Sequence, residues 1–172
     1  MQRTAIKITV KALTNWLATL LIIALLTACG EKPVYEEYVS IPAKGWYKDS
    51  LIHFEVEITD TATPYRVMWY LRNNNDYAFS NIYLFRKVTS ERGVEFADTA
   101  SFPLADPYGK WLGKGVGELK TNTWPFKNSL LYFNREGIYR FSLQQAMRTN
   151  HLEGVEDVGL GVFKATEKQD EQ

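Results

Sequence analysis

Cysteine and histidine are almost absent from this chain, which has one cysteine and two histidines among 172 residues. A single cysteine cannot form an internal disulfide, so a folded domain must be stable through its core alone. His53 and His151 lie far apart in the sequence and outside any cluster with metal-ligand spacing. No Asp-x-Asp-x-Asp calcium loop occurs either. The sequence therefore predicts no metal site and no cofactor.

The chain also lacks an excess of charge of either sign, with 20 basic and 20 acidic residues. Three of the basic residues, Arg3, Lys7 and Lys11, precede the cysteine, and no acidic residue does. From Cys29 onward 17 basic residues face 20 acidic ones, a net charge near −3. This part of the chain has no basic surplus that would indicate binding to nucleic acid or to an anionic lipid surface.

A hydrophobic run long enough for an ordinary membrane span is missing as well, since a span needs about 20 apolar residues. The run from Ala12 to Ala28 follows the basic start and ends in Leu26-Thr27-Ala28-Cys29. A basic segment, a short apolar segment and small residues at a cleavage point are typical of an export signal. Leu-Thr-Ala-Cys is similar to a bacterial lipobox. It predicts a signal peptide over residues 1–28, cleavage before Cys29, and acylation of Cys29 with fatty acids such as palmitate.

Acyl chains on Cys29 would hold the protein at a membrane. Each buried acyl CH₂ contributes about 0.8 kcal/mol, so two or more chains give stable anchoring. An uncleaved transmembrane helix is the alternative, but the cysteine lies where the cut is expected. Gly30 rather than Asp follows Cys29, which favours the outer membrane. We therefore expect a lipid-anchored envelope protein of the outer membrane, with its domain in the periplasm.

Catalytic motifs are also lacking. The sequence contains no Gly-x-Ser-x-Gly, and its histidines have no evident nucleophile partner. In the glycine-rich segment, Gly109 and Gly113 are one residue too close for a P-loop, and Gly115 stands where the hydroxyl residue belongs. We interpret this segment as a tight connection in which glycines adopt positive φ and Trp111 packs. The paired carboxylates of a glycosidase have no motif that a single sequence would show, so glycoside hydrolysis stays an open possibility. The sequence predicts a protein that is not an enzyme.

Helical periodicity is absent, and residues alternate between apolar and polar instead. The clearest alternations, residues 51–59 and 65–72, are joined by a short turn and predict an antiparallel pair. Residues 130–133 and 138–145 predict a hairpin across the loop 134–137. With eight or nine short strands, the expected fold is all-β, a single antiparallel sandwich for which a jelly roll is one candidate topology. The expected divisions follow: a lipidated tether with a first strand at 29–45, the sandwich at 46–164, and a polar tail at 165–172.

Aromatic residues make up 14% of the chain and supply the candidate contact residues. Trp69 is in phase with apolar neighbours and is expected in the core. Trp111 and Trp124 lie in loops or at strand ends, where they either pack locally or stack on sugar rings. Arg72, Arg86 and Arg148 are candidates for a partner surface or for fixing turns through carboxylates.

Several strings together carry a resemblance to a known family. They are Leu71–Asn74, Tyr77, Ser80–Leu84, Asp98-Thr99, Leu104–Asp106, Gly109–Gly115, Gln144–Arg148, Leu152, Gly154 and Asp157–Gly159. With the lipobox, they resemble the gliding-motility lipoprotein H (GldH) family of Bacteroidetes over nearly all of the chain after Cys29. The resemblance implies an envelope lipoprotein needed for gliding, working with other gliding lipoproteins and the type IX secretion apparatus. It implies no catalytic residues. A carbohydrate- or peptidoglycan-binding envelope lipoprotein is the alternative function.

The lipobox gives a direct prediction. Replacing Cys29 with serine removes the thiol that would carry diacylglycerol, so Cys29→Ser should abolish metabolic labelling with a radioactive fatty acid. It should also leave the protein unprocessed or released from membranes in fractionation. Unchanged labelling and retention of Cys29→Ser would rule out the lipoprotein interpretation.

Overall fold

The computed structural model describes residues 32–127 and 130–165, and every regular element in these ranges is a β-strand. No helix in the described ranges has the length and apolarity needed to cross a bilayer. The strands are β1 Tyr35–Ser40, β2 Trp46–Tyr47, β3 Ile52–Ile58, β4 Tyr65–Asn73, β5 Asn81–Ser90, β6 Gly93–Pro103, β7 Lys120–Pro125, β8 Gly137–Gln145, β9 His151–Leu152 and β10 Val155–Lys164.

The eight longer strands form two four-stranded antiparallel sheets, one ordered β1-β10-β4-β7 and the other β3-β8-β5-β6. The short strands β2 and β9 pair with each other. Counted in chain order, the eight strands read 1-8-3-6 and 2-7-4-5, which is the order of a jelly roll. The predicted all-β antiparallel sandwich is confirmed, and the jelly roll is the topology adopted.

Alternation explains why these segments are strands and which face each one buries. In β3 the residues Ile52, Phe54, Val56 and Ile58 are buried, and the residues between them are exposed. The same inward alternation runs through β4 and β5, and Trp69 is fully buried as expected. The inward faces of the two sheets meet in one hydrophobic cluster, which contains residues from both sheets. A fully buried large apolar side chain contributes about 1.5–3 kcal/mol, so this cluster is the main source of stability.

The predicted pairing of residues 51–59 with 65–72 is wrong. Strand β3 pairs with β8, whereas β4 lies in the other sheet between β10 and β7. Asp60 forms the connection, because its Oδ1 accepts hydrogen bonds from the amides of Ala62 (2.9 Å) and Thr63 (3.2 Å). The turn therefore crosses the sandwich instead of closing a hairpin. Alternation shows which face is buried, and it does not show which strand is the neighbour.

The predicted hairpin of residues 130–133 with 138–145 is also wrong. Leu131 makes an isolated bridge with Tyr65, with both N···O distances at 2.8 Å. Residues 137–145 form β8, whose partners are β3 and β5. Leu131 instead packs against one end of the core, where Phe133 is buried and lies 5.4 Å from the ring of Tyr65.

The two ends of the sandwich carry different loops. We call the end where β1 begins the proximal end, and it includes the connections 59–64, 91–92 and 126–136. The opposite, distal end includes the connections 41–51, 74–80, 104–119 and 146–154. Because neighbouring strands are antiparallel, these assignments follow from the register of the two sheets.

Arg86 is the one charged side chain among the inward-facing residues of β5, and it is only 8% exposed. The prediction that it could belong to a partner surface is therefore wrong. Arg86 Nε donates to Asp98 Oδ1 at 2.9 Å across the β5–β6 pair, and Nη1 donates to the Phe126 carbonyl. The guanidinium lies 4.9 Å from the Phe126 ring and 5.4 Å from the Phe102 ring. Arg86 thereby ties β6 to the end of β7, which belongs to the other sheet.

This buried pair gives a stability prediction. Asp98→Asn keeps the shape of the side chain but removes the charge that compensates the buried guanidinium, so unfolding free energy should fall by about 1–3 kcal/mol. Urea denaturation followed by tryptophan fluorescence measures the change. The matched control is Glu55→Gln, because Glu55 forms the same kind of cross-strand pair with Arg140 on the exposed face. Equal midpoint shifts for the two variants would contradict the role assigned to Arg86.

Candidate functional site

The glycine-rich segment 104–119 forms a braced loop at the distal end. Leu104 is buried, and its amide donates to the Ser80 carbonyl at 2.8 Å. Asp106 Oδ1 accepts from the amides of Tyr108 and Lys110, both at 2.9 Å, which closes a tight turn. Gly109 has φ +82° in this turn, a conformation that favours glycine. The interpretation of the segment as a glycine-dependent connection is confirmed.

Two further bridges fix the remainder of this loop. The Leu112 amide donates to the Leu104 carbonyl at 2.9 Å, and Ala105 pairs with Trp111. Lys114 and Thr121 exchange backbone hydrogen bonds of 2.9 and 2.7 Å, which fasten the second half of the loop to β7. The loop is therefore held at both ends and in its middle by backbone bonds, although it contains no regular strand.

Apolar side chains on this loop nevertheless face solvent. Tyr108 is 96% exposed, Val116 is 98% exposed and Leu112 is 54% exposed. Lys110 and Lys114 are exposed beside them. We call Tyr108, Leu112 and Val116 the distal apolar set. Exposed apolar side chains on an ordered loop are typical of a recognition surface, because binding a partner would bury them at little cost in loop entropy.

Trp111 and Trp124 are both half-buried, and each is held by different neighbours. The Trp111 indole donates through Nε1 to Asn75 Oδ1 at 3.1 Å and lies edge-on to Tyr77, 6.4 Å between ring centroids. Trp124 stacks on buried Trp69 at 4.6 Å with 24° between the ring planes. Local packing therefore accounts for one face of each indole. A role in stacking on sugars stays a prediction for both.

The structure does not bring Arg72 and Arg148 together. Arg72 lies on the outer face of the β1-β10-β4-β7 sheet, where its Nε donates to Asp157 Oδ1 at 2.6 Å and its guanidinium lies 5.4 Å from the ring of Tyr38. The hydrogen bond with Asp157 raises the Arg72 pKa above its usual value. Arg148 is exposed in the distal connection 146–154. Cys29, the predicted lipid attachment residue, lies outside the described residues.

Sequence reasoning assigned no packing role to the residues that pack closely at the distal end, although Tyr77 and Gly154 belong to the strings that carry the resemblance. A Cβ on Gly154, where φ is +75°, would lie 2.2 Å from the Tyr77 amide nitrogen, so no larger residue fits without a shift. Asn122 Nδ2 donates to Asn73 Oδ1 at 2.8 Å in a buried pair between β7 and β4. Tyr108 was not singled out, although Asp-Pro-Tyr-Gly is a turn signal that places a tyrosine at its tip.

Acid–base and metal chemistry have little support in the described part of the chain. It contains no group of three or more His, Cys, Asp or Glu side chains arranged to hold a metal ion. The large perturbations have structural causes: burial raises the pKa of Tyr70 to about 12 and raises that of Tyr77 as well, and hydrogen bonds from Lys164 and Thr63 lower the pKa of Asp60. The Tyr77 hydroxyl donates to the Asn81 carbonyl at 2.9 Å, which is a structural contact.

Comparisons with known proteins identify the family of this chain. Residues 33–162 match the model of the GldH lipoprotein family. A gliding motility lipoprotein GldH homolog of Christiangramia forsetii is 38% identical over 150 residues, covering 83% of this chain and 91% of that protein. Gliding motility lipoprotein GldH of Flavobacterium johnsoniae is 31% identical over 150 residues, covering 83% and 92%. The chain belongs to the GldH lipoprotein family, which confirms the resemblance found in the sequence.

A search of solved structures adds no argument about function. The crystal structure of dimeric latent PorU from Porphyromonas gingivalis matches with a TM-score of 0.28 and 10% sequence identity. The match covers 80% of this chain and 13% of that one. A likeness this weak does not establish a shared fold.

The Asp106 turn makes a prediction about loop order. Asp106→Ala removes the acceptor for the Tyr108 and Lys110 amides, each bond being worth about 1 kcal/mol, so both amides should exchange hydrogen about fivefold faster. Hydrogen exchange followed by NMR or mass spectrometry measures the rates. Asp76→Ala is the control at the same end, because the Asp76 carboxylate accepts no hydrogen bond from the described residues. Similar exchange in both variants would show that Asp106 does not brace the loop.

Proposed function

We propose that this chain is a non-catalytic interaction component that helps assemble the gliding and type IX secretion machinery, and that partner proteins bind at its distal end. The observation that carries this proposal is the distal apolar set on a braced loop. Tyr108 and Val116 are almost fully exposed, although backbone hydrogen bonds fix the loop that carries them. The GldH relatives are named gliding motility lipoproteins, which supports gliding as the process.

Preorganisation is the physical reason why this loop is suited to binding. Ordering a flexible loop on association costs about 0.5–1.5 kcal/mol for each immobilised side chain, and a loop that is already hydrogen-bonded avoids part of that cost. Aromatic anchors such as Tyr108 are enriched among residues that dominate binding energy. Lys110 and Lys114 beside the apolar set would favour a partner with acidic residues around an apolar pocket.

The proposed lipid anchor fits this geometry. Cys29 precedes the first residue of β1, Tyr35, by six residues, which extend over at most about 20 Å. Strands of up to 11 residues separate the two ends, a length of about 35 Å. Acylation of Cys29 in the outer membrane would therefore keep the proximal end near the bilayer and present the distal end to other lipoproteins in the periplasm.

The distal apolar set can be tested in cells. The double variant Tyr108→Ser/Val116→Ser should reduce crosslinking to partner proteins in the envelope by at least about tenfold and reduce colony spreading, because truncating dominant contact residues costs more than about 1 kcal/mol each. Expression level and urea midpoint should stay unchanged, since neither side chain packs in the core.

The matched control is Tyr83→Ser/Val94→Ser, the same two substitutions at exposed positions on the sheet face and at the proximal end. This control should crosslink and spread as the unaltered protein does. If the distal variant spreads normally and keeps neighbouring lipoproteins at normal levels, the proposed role of this surface is incorrect.

A further inference from the structure

A pocket of about 250 Å³ opens at the proximal end, far from the distal apolar set. Its floor is aromatic and apolar: Phe126 and Phe141 are fully buried and meet edge to face at 5.3 Å. Phe133 and Tyr139, with 4.5 Å between ring centroids, form one wall. The pocket lies at the end of the core, between Arg92 on one side and residues 126–127 and 131–135 on the other.

Cations surround the mouth of this pocket. Arg92, Lys127 and Arg135 line it and are exposed, against a single carboxylate from Glu95. Lys127 Nζ lies 4.3 Å from the centroid of the Phe96 ring, which holds the ammonium over the pocket wall. Glu95 Oε1 already accepts a hydrogen bond from Ser90 Oγ. We call Arg92, Lys127 and Arg135 the cationic rim.

Arg92 and Arg135 share an adjoining depression with Glu91, Glu95 and Glu136, but none of these carboxylates is close enough to form an ion pair with them. The two guanidinium groups form no ion pair within the part of the chain that the structure describes, whereas Arg72, Arg86 and Arg140 are all paired. Two guanidinium groups and an ammonium around one opening supply the donors that bind phosphate oxygens best. The rim is therefore suited to one phosphate group.

Acidic residues nearby restrict the kind of ligand. Glu91 and Glu136 line the adjoining depression, and the net charge after Cys29 is near −3. The proximal end as a whole therefore has no strong positive field that would attract a charged membrane diffusely. A single phosphate inside the pocket fits this charge distribution, and an apolar group attached to it would contact the aromatic floor.

The chain order indicates where such a ligand would come from. The pocket is at the end where β1 begins, six residues after the predicted acylation site. Tyr132 stands at its mouth and is 69% exposed, as aromatic side chains often are at a membrane–water interface. We propose that the pocket binds the headgroup of an anionic phospholipid, with the phosphate on the cationic rim. This second contact, which rests on the lipid anchor proposed above, fixes the orientation of the sandwich on the membrane.

The proposal can be tested with a soluble lipid below its micelle concentration. The full mature lipoprotein, purified in neutral detergent, is titrated with dihexanoyl phosphatidylglycerol, and binding is followed by calorimetry. Dihexanoyl phosphatidylcholine and inorganic phosphate are separate arms. Binding of phosphatidylglycerol should saturate, weaken with added salt, and weaken about tenfold in Arg92→Gln/Lys127→Gln/Arg135→Gln.

The matched control is Lys44→Gln/Lys48→Gln/Lys87→Gln, which removes the same charge from exposed positions outside the pocket. This control should bind phosphatidylglycerol as the unaltered protein does. The proposal would be overturned if phosphatidylcholine or inorganic phosphate bound with the same affinity as phosphatidylglycerol. It would also be overturned if both triple variants weakened phosphatidylglycerol binding equally. Fatty-acid labelling of the rim variant should remain normal. Weaker phosphatidylglycerol binding in that variant can then be distinguished from loss of the lipid anchor.

Discussion

Burial of the inward faces of the two sheets against each other is the constraint on which this structure depends. The chain has one cysteine and no internal disulfide to hold the sheets together, so the interlocked apolar side chains must do so. Trp69 and Phe141 are fully buried from opposite sheets. Arg86 places a charge in this interior, and its contacts with Asp98 and Phe126 convert a costly buried charge into a tie between the sheets.

A jelly roll closed in this way places its connections at two ends with different chemistry. The distal end presents apolar side chains on a loop that the Asp106 turn makes rigid. The proximal end opens into an aromatic pocket with a cationic rim. The two ends are separated by the length of the strands, so a molecule bound at one end leaves the other accessible. This division would suit the proposed lipoprotein, which is anchored to a membrane at one end and binds protein partners at the other.

The alternation of apolar and polar residues predicted which face of each strand is buried, but it did not predict which strands pair. Strand β3 and the buried side of β4 follow directly from alternation, and Trp69 was expected in the core for that reason. The expected pairing of these two strands was wrong because each is paired with strands from much later in the chain, β8 and β10. The glycine-rich loop was recognised as a connection, but the exposure of Tyr108 depends on contacts of the loop with Ser80 and Thr121 that no local pattern contains.

By itself the sequence determined the family, the all-β class, the inward face of most strands and the absence of a recognisable catalytic motif, because these properties depend on residue type and short-range spacing. Only the tertiary structure decided which strands pair, how Arg86 is compensated, and which loop residues gather at each end. Those features depend on contacts between residues that are distant in the sequence, as with Arg92 and Arg135 at one pocket. A local pattern of period two fixes the direction of a side chain, and the packing of the whole chain selects its neighbours.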